Sequence, residues 1–343
     1  MAKSDVRIRL RQGYGGQVLS TVLILVQVAV LHAQDAPSVD HHQHLFSPAL
    51  ARVLSPPAPA PPTAPVTARD LVALLDAAGI KRAVVLSAAY IYEQPSRKID
   101  DAADKVRADN DWTSQQVAQY PDRLVGFCGL NPLKDYALDE LARCAKDRNL
   151  RNGLKLHFGN SVVDYHNPQH IDQVKRVFRA ASGYRMPIVV HMRASLTAKL
   201  PYGRDEALIF LNELVPAAPD VVIQIAHLAA AGAPSDPGAD EALEVFIEAI
   251  ARGDARATRL YFDAPSVSPT VTIAPNKAAA IASQIRRLGV QRILFGSDAP
   301  TGGDLTPQAA WESLRKLPLT AAELRTIAAN VAPYMQARPS AGR

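Results

Sequence analysis

Residues 187–228 read PIVVHMRASLTAKLPYGRDEALIFLNELVPAAPDVVIQIAHL. Two short apolar runs, PIVVHM at 187–192 and VVIQIAHL at 221–228, flank a stretch at 205–214 that has the apolar spacing of an amphipathic helix. A strand, a helix and a second strand in this order predict two parallel strands joined by a crossover helix.

The same unit recurs in both directions along the chain. The other strand candidates are SVDHHQHL at 38–45, RAVVLSAA at 82–89, LVGFCGLNP at 124–132, GLKLHF at 153–158, RLYFDAP at 259–265 and RILFGSDAP at 292–300. Helical patterns fall at 70–78, 138–148, 169–183, 240–251, 277–288, 307–317 and 320–335. Eight such units predict an α/β fold, a (β/α)8 TIM barrel formed as a single domain by residues 34–343. A doubly wound sheet is the alternative, but no Gly-rich dinucleotide fingerprint follows the first strand.

Two segments interrupt this alternation. The Pro-rich segment SPPAPAPPTAPV at 55–66 follows the first strand, and a long polar insertion at 90–109 follows the second. Both positions predict loops at the catalytic face of the barrel, where long loops shape substrate access. A solvated spacer is the alternative for the Pro-rich segment.

The N-terminus has the layout of an export signal. Four basic residues and one acidic residue in the first seventeen precede the apolar run VLSTVLILVQVAVL at 18–31, and HAQDAP follows. This order predicts a signal peptide at 1–33, cut after Ala33, and an exported product that is periplasmic or secreted. The alternative is an uncleaved membrane anchor, but the run is shorter than the ~20 apolar residues that a spanning helix needs. We therefore expect no stable membrane anchor.

Composition narrows the partners. The chain of 343 residues is 48% hydrophobic and 21% charged, and its formal net charge of +5 comes mainly from the leader. That charge does not indicate a nucleic-acid partner, so we expect a small-molecule substrate, with a homo-oligomer left open.

Cys128 and Cys144 are the two cysteines. They form no disulfide framework, and we expect two buried thiols, although the spacing also permits a bridge.

Metal-binding residue types collect at the strand ends. His42 and His44 lie two apart on the first strand and therefore share a face. His191 ends the fifth strand, His227 the sixth and Asp298 the eighth. The C-terminal strand ends of a barrel meet at one rim, where active sites form. Each residue alone is weak evidence, but together they predict a metal site.

The motifs VDHHQHLF, GLKLHF, IVVHMR, IQIAHLAAAG, YFDAP and ILFGSDAP resemble the amidohydrolase-related branch of the amidohydrolase superfamily. The resemblance runs from about Val39 to Met335. It implies a metal-dependent barrel enzyme that hydrolyses amides, esters or lactones, or decarboxylates aromatic or dienoic acids.

The family pattern also implies roles for individual residues. His42, His44, His191 and Asp298 become metal ligands, and His227 becomes the group that polarises the substrate or the bound water. Three imidazoles and a carboxylate suit zinc, one ion per chain, with manganese or iron as alternatives. The ion would lower the pKa of its bound water toward ~7, and Asp298 could accept that proton.

Four further residues are candidate substrate ligands. Strand alternation predicts that Lys155 and His157 face the barrel interior. In binuclear relatives a lysine on this strand is carbamylated and bridges two metals; the alternative is a buried lysine paired with a carboxylate such as Asp40. Arg193 shares the face of His191 and could bind a substrate carboxylate, or be a rim charge. Tyr90 lies in the loop after the second strand.

The leading hypothesis is therefore a metal-dependent hydrolase of small amides, esters or lactones. A metal-dependent decarboxylase of carboxylated aromatic or dienoic acids is the alternative. An exported binding protein on a degenerate barrel is a third reading, which the retained Asp298 and His227 disfavour because binding alone needs no general base.

Overall fold

The computed structural model of the chain describes residues 36–230, 236–264, 273–299 and 306–336. Eight parallel strands lie in sequence order. They are β1 (Val39–Gln43), β2 (Arg82–Leu86), β3 (Leu124–Gly129), β4 (Leu154–His157), β5 (Ile188–His191), β6 (Ile223–Ile225), β7 (Leu260–Asp263) and β8 (Ile293–Leu294). Near the ends of β1 and β8, the backbone N–H of His41 donates to Phe295 O and that of Asp298 to His42 O, both at 2.8 Å. These bonds draw the first and last strands into a nearly closed barrel.

Helices lie between the strands. They are α1 (Pro48–Leu54), α2 (Ala68–Ala77), α3 (Ala102–Val117), α4 (Ala137–Lys146), α5 (Phe158–Ser161), α6 (Pro168–Gly183), α7 (Arg204–Ile209), α8 (Pro237–Ala251), α9 (Pro275–Leu288), α10 (Pro307–Leu314) and α11 (Ala321–Ala329). Short 3-10 helices occur at Ala89–Glu93, Pro95–Arg97, Val215–Ala217, Ala226–Ala229, Ala255–Arg259, Val290–Arg292 and Pro333–Met335, and a π-helical turn at Phe210–Leu214 continues α7.

Two helix predictions need correction. The insertion at 90–109 is not a loop throughout, because α3 begins at Ala102 and continues to Val117. The last helical pattern does not reach Met335: α11 ends at Ala329, and Pro333–Met335 forms a separate turn. Pro333 explains the interruption, since a proline lacks the N–H that a continuing helix needs.

The strands read as near-continuous apolar runs because both of their faces are buried. Val189 packs inside the barrel with Phe127 on β3, whereas Ile188 and Val190 contact the surrounding helices. Burial of this kind stabilises by about 25 cal/mol per Å² of apolar surface. The strands therefore form a rigid frame for the polar residues at their C-terminal ends.

The cysteines differ from the sequence-based expectation. Cys128 on β3 and Cys144 on α4 form a disulfide rather than two free thiols, with Cα atoms 6.0 Å apart. Because α4 packs on the strand that precedes it, the two buried sulfur atoms face each other. The bridge ties one crossover helix to the barrel.

The Pro-rich segment lies at the catalytic face, as expected. Val66 at its end pairs with Phe46 through two backbone hydrogen bonds of 2.9 and 3.1 Å. Thr63, Ala64 and Val66 line the cavity described below. Within the described ranges, no helix is long and apolar enough to span a membrane. The predicted signal peptide at 1–33 lies outside the described residues.

Candidate metal centre

A cavity of about 570 Å³ opens at the C-terminal ends of the strands. Its lining combines polar groups from the strand ends with apolar groups from the first two loops. The lining residues are His42, His44, Phe46, Leu54, Thr63, Ala64, Val66, Ala88, Tyr90, Ile91, Lys155, His157, Asn160, His191, His227 and Asp298. All five residues predicted as metal ligands or catalytic groups thus meet at one cavity.

The carboxylate of Asp298 is surrounded by three imidazoles. Its Oδ1 lies 3.3 Å from His44 Nε2 and 3.6 Å from His42 Nε2, and its Oδ2 lies 3.5 Å from His227 Nε2. We call these four residues the histidine–aspartate cluster. The ligand atoms of His42, His44 and Asp298 all lie within 4.8 Å of one another, so one ion could contact all three.

The second ring nitrogens show that the cluster suits a metal. His42 Nδ1 lies 3.0 Å from Asp263 Oδ2, and His44 Nδ1 lies 2.7 Å from the backbone oxygen of Leu86. Each acceptor fixes the ring proton on Nδ1, which leaves the lone pair of Nε2 directed into the cavity. Metal-ligating histidines are held in this way, and the donor set of imidazoles and carboxylate fits a divalent transition metal.

Asp263, at the end of β7, is a functional residue that the sequence reasoning missed. Its side chain is fully buried and accepts hydrogen bonds from His42 Nδ1, from the backbone N–H of His227 at 2.7 Å and from Gln224 Nε2 at 2.7 Å. The motif YFDAP contains it, and its place at a strand end, like that of Asp298, was the available signal. Asp263 orients two members of the cluster.

The backbone at His227 and Asp298 is strained. Their φ angles are 53° and 54°, in the left-handed region that non-glycine residues rarely adopt. Each conformation is held by a hydrogen bond from the backbone N–H, His227 to Asp263 and Asp298 to His42 O. Strained residues of this kind concentrate at functional sites. Gly296 lets the segment after β8 lie close to His42 on β1, because a Cβ atom at position 296 would lie 2.8 Å from His42 Cβ.

His191 lines the same cavity beside His227. Its ring stacks on His157, with centroids 3.9 Å apart, and lies 5.5 Å from the ring of His227. Its buried Nδ1 has no hydrogen-bond partner among the described residues. Within the same residues, His191 does not belong to any group of three metal-binding side chains whose ligand atoms lie within 4.8 Å of one another. Tyr90 also contacts His157, with ring centroids 5.2 Å apart. The predicted substrate ligands His157 and Tyr90 therefore form one aromatic wall beside the predicted metal ligand His191.

Lys155 points into the cavity, but Asp40 is not its partner. Its Nζ lies 3.0 Å from His42 Nε2, whereas Asp40 accepts from Gln43 and from the backbone N–H of Ser297. Burial lowers the pKa of Lys155 to about 8, and the negative charge of Asp298 opposes this shift without cancelling it. The expectation of a structural pair with Asp40 is wrong, because hydrogen-bond donors of β1 and the β8 loop already occupy that carboxylate.

Arg193 is held away from the cavity. Its Nε donates to Asp236 Oδ2 at 2.9 Å, and its guanidinium lies 4.6 Å from the centre of the Tyr202 ring. It is not among the residues that line the cavity. This buried ion pair is neither a free guanidinium in the cavity nor an exposed rim charge, and a role for Arg193 in substrate binding stays a prediction.

The protonation states in the cavity suit metal binding. Burial lowers the pKa values of His42 and His191 well below the usual range and that of His227 to about 4. Burial raises the pKa of Asp298, but the neighbouring imidazoles, His42 foremost, outweigh it and hold the value well below the usual range. Neutral imidazoles and an ionised carboxylate are the forms that bind a metal.

Comparisons with known proteins give the family. The sequence profile described as amidohydrolase matches residues 39–330. None of the curated proteins compared by sequence matches the chain.

Solved structures share the fold at low sequence identity. A probable 2-pyrone-4,6-dicarboxylic acid hydrolase from Acinetobacter baumannii is 16% identical, with a TM-score of 0.54 over 85% of this chain and 96% of that one. The 5-carboxyvanillate decarboxylase of Sphingomonas paucimobilis is 17% identical, with a TM-score of 0.57 over 85% and 96%. The 5-carboxyvanillate decarboxylase of Novosphingobium aromaticivorans, solved with manganese, is 14% identical, with a TM-score of 0.56 over 87% and 95%.

Proposed function

The chain belongs to the amidohydrolase family, in its amidohydrolase-related branch, and on that premise we propose that it is a metal-dependent hydrolase of small amides, esters or lactones. The observation that carries the proposal is the carboxylate of Asp298 among the Nε2 atoms of His42, His44 and His227. This arrangement puts metal ligands and a proton acceptor at one point of an otherwise largely apolar cavity.

The metal is proposed to be one divalent ion per chain, zinc first and manganese as the alternative. His42, His44 and Asp298 would hold it, with His191 as a further ligand. When bound, such an ion polarises a carbonyl group and makes a water more acidic. The manganese-containing relative supports a divalent metal but does not favour zinc.

The chain's own groups would supply the proton transfers. Asp298 is ionised and a fifth of its side chain is exposed to the cavity, so it can accept a proton from an attacking water. His227 is neutral, and its Nε2 lies 3.5 Å from Asp298 Oδ2. After a small movement it could take up that proton from Asp298 and then donate it to a leaving group. Fixed groups of this kind also stabilise the charge that develops on a carbonyl oxygen.

Decarboxylation is the second candidate, and the lining of the cavity favours it specifically. Phe46, Leu54, Val66 and Ile91 are apolar lining residues, and Lys155 is the one Lys or Arg among the lining residues that the structure describes. A substrate with an aromatic ring and a single carboxylate would fit this lining, with its ring on the apolar residues and its carboxylate near Lys155. Two of the similar solved structures are decarboxylases of a carboxylated aromatic acid, 5-carboxyvanillate.

Export to the periplasm or the medium is part of the proposal. The basic and apolar leader supports it, and so does the buried Cys128–Cys144 disulfide, because such bridges persist in oxidising compartments. N-terminal sequencing of protein from the cell envelope should give a mature start near Gln34. An intact Met1 on a cytoplasmic product would contradict export.

The experiment is a two-panel assay on zinc- and manganese-loaded protein. One panel contains amides, esters and lactones, and the carboxylic acid product is measured. The other contains hydroxylated benzoic acids, and the CO₂ released is measured. Asp298→Asn, expected to be about 10²-fold less active, is the matched control. Metal-dependent acid release supports hydrolysis, CO₂ release alone selects the decarboxylase, and no turnover in either panel with either metal refutes both.

A further inference from the structure

A chain of hydrogen bonds connects the half-buried Tyr334, in the turn at Pro333–Met335, to the histidine–aspartate cluster. The hydroxyl of Tyr334 donates to Gln224 Oε1, and Gln224 Nε2 donates to Asp263 Oδ2 at 2.7 Å. The same Oδ2 lies 3.0 Å from His42 Nδ1, and Oδ1 accepts from the backbone N–H of His227. We call Tyr334, Gln224 and Asp263 the tyrosine relay.

The direction of every bond in the relay is determined. Asp263 meets donors on both oxygens, so it is an acceptor, and the Gln224 atom that faces it must be the amide nitrogen. The amide oxygen then faces Tyr334, whose hydroxyl must donate. If Gln224 turned over, its oxygen would face the carboxylate and two buried acceptors would repel each other.

Tyr334 is itself held by contacts outside the relay. Its ring packs edge-on against Phe127 at 5.3 Å and against His41 at 6.3 Å. The turn that carries it is bound by Arg82 Nη1 to Met335 O at 3.0 Å. Removing the hydroxyl should therefore leave the ring in place and affect only the relay.

We propose that Tyr334 is a positioning residue which, through Gln224 and Asp263, holds the proton of His42 on Nδ1 and so keeps Nε2 available to the metal. The inference rests on the proposed function, because it assigns the relay to the metal site of that same enzyme. It gives the turn at Pro333–Met335 a role in a site at the opposite end of the barrel strands.

The test is a double-mutant cycle on zinc affinity, measured by competition with a chromogenic chelator. Tyr334→Phe removes only the hydroxyl, and Gln224→Met replaces the amide by an apolar chain of similar length. We expect each variant to weaken zinc binding by about tenfold, the lower end of the range for groups behind a ligand. The double variant should be no weaker than Gln224→Met, because the hydroxyl acts only through the amide.

Tyr136→Phe is the matched control. It also removes the hydroxyl of a half-buried tyrosine that donates to a buried partner, Glu93 at 2.6 Å, but outside the relay. It should lower the melting temperature without changing zinc affinity. Unchanged affinity in Tyr334→Phe, losses that multiply in the double variant, or an equal loss in Tyr136→Phe would each overturn the proposal.

A second measurement separates this inference from the proposed function. Nitrogen-15 NMR of the metal-free protein reports which nitrogen of the His42 ring carries the proton. Wild type should show protonated Nδ1, and Tyr334→Phe a mixture of both tautomers. The same spectrum in both proteins would refute the relay. A wild type that binds no zinc but shows this difference would refute the metal-dependent function alone.

Discussion

Replacing Asp263 by asparagine tests the link between the buried carboxylate and the metal ligands. Asp263 Oδ1 faces the backbone N–H of His227 at 2.7 Å, and this donor cannot change. The amide oxygen of asparagine must therefore take that position, which turns the NH₂ group toward His42 Nδ1. A donor now faces a donor, and this conflict favours the tautomer of His42 with its proton on Nε2, against the opposing effect of Lys155 Nζ, which lies 3.0 Å from that nitrogen.

The size of the effect follows from that tautomer. A proton on Nε2 occupies the lone pair that would bind the metal. Loss of a partner behind a ligand typically weakens metal affinity by about 10- to 100-fold, roughly 1.4–2.7 kcal/mol. We expect Asp263→Asn to fall in this range while it keeps its fold, because asparagine has nearly the same shape as aspartate.

The assay is zinc affinity by chelator competition, with the fold checked by circular dichroism. Asp109→Asn is the matched control, since Asp109 is also a buried carboxyl group, bonded to Ser47 Oγ at 2.6 Å and not in contact with the cluster. It should bind zinc as wild type does. A folded Asp263→Asn protein with wild-type affinity would refute the reasoning.

Three further substitutions separate metal binding, proton transfer and stability. Asp298→Asn should keep part of its metal and lose about 10²-fold in turnover, measured on one preparation, because the amide cannot accept a proton; near wild-type turnover would refute this role. His227→Ala should keep its metal and lose about 10²- to 10³-fold in turnover; metal loss would make His227 a ligand. Burial raises the pKa of Asp109 from 3.8 to about 6, so its contribution to stability is present below pH 3.8 and lost as the pH rises through 6. Asp109→Asn should therefore gain up to about 3 kcal/mol relative to wild type across that interval in urea unfolding; a parallel pH dependence would contradict it.

The eight strands could be predicted because each is a short apolar run with helical patterns on both sides. His42 and His44 could be paired because residues two apart on a strand share a face, and both reach Asp298. The family profile confirms the predicted branch and an enzyme of this superfamily. The roles of the individual site residues stay predictions that the experiments above address.

Helix α3 could not be read from hydrophobic spacing. The face that it buries includes Asp109, Asn110, Thr113 and Ser114, which are polar. Asn110 replaces apolar packing with hydrogen bonds to Gly129 and Glu140. A helix that buries polar groups has no clear apolar period, so its sequence looks like a solvated loop.

Side-chain partners that lie far apart along the chain could not be predicted from the sequence either. Asp263 bonds to His42, 221 residues away, and the disulfide depends on how α4 packs against β3. The partner of Arg193 is Asp236, on the next crossover. Spacing along the chain shows which residues share an element but not which elements bring two side chains together.

Metal content, measured with activity, tests the central claim most directly. Elemental analysis of gently purified protein should give about one divalent metal per chain. Removal of that metal by a chelator should abolish turnover, and zinc or manganese should restore it. Protein without bound metal, or full activity after exhaustive chelation, would contradict the assignment of the histidine–aspartate cluster as a catalytic metal centre.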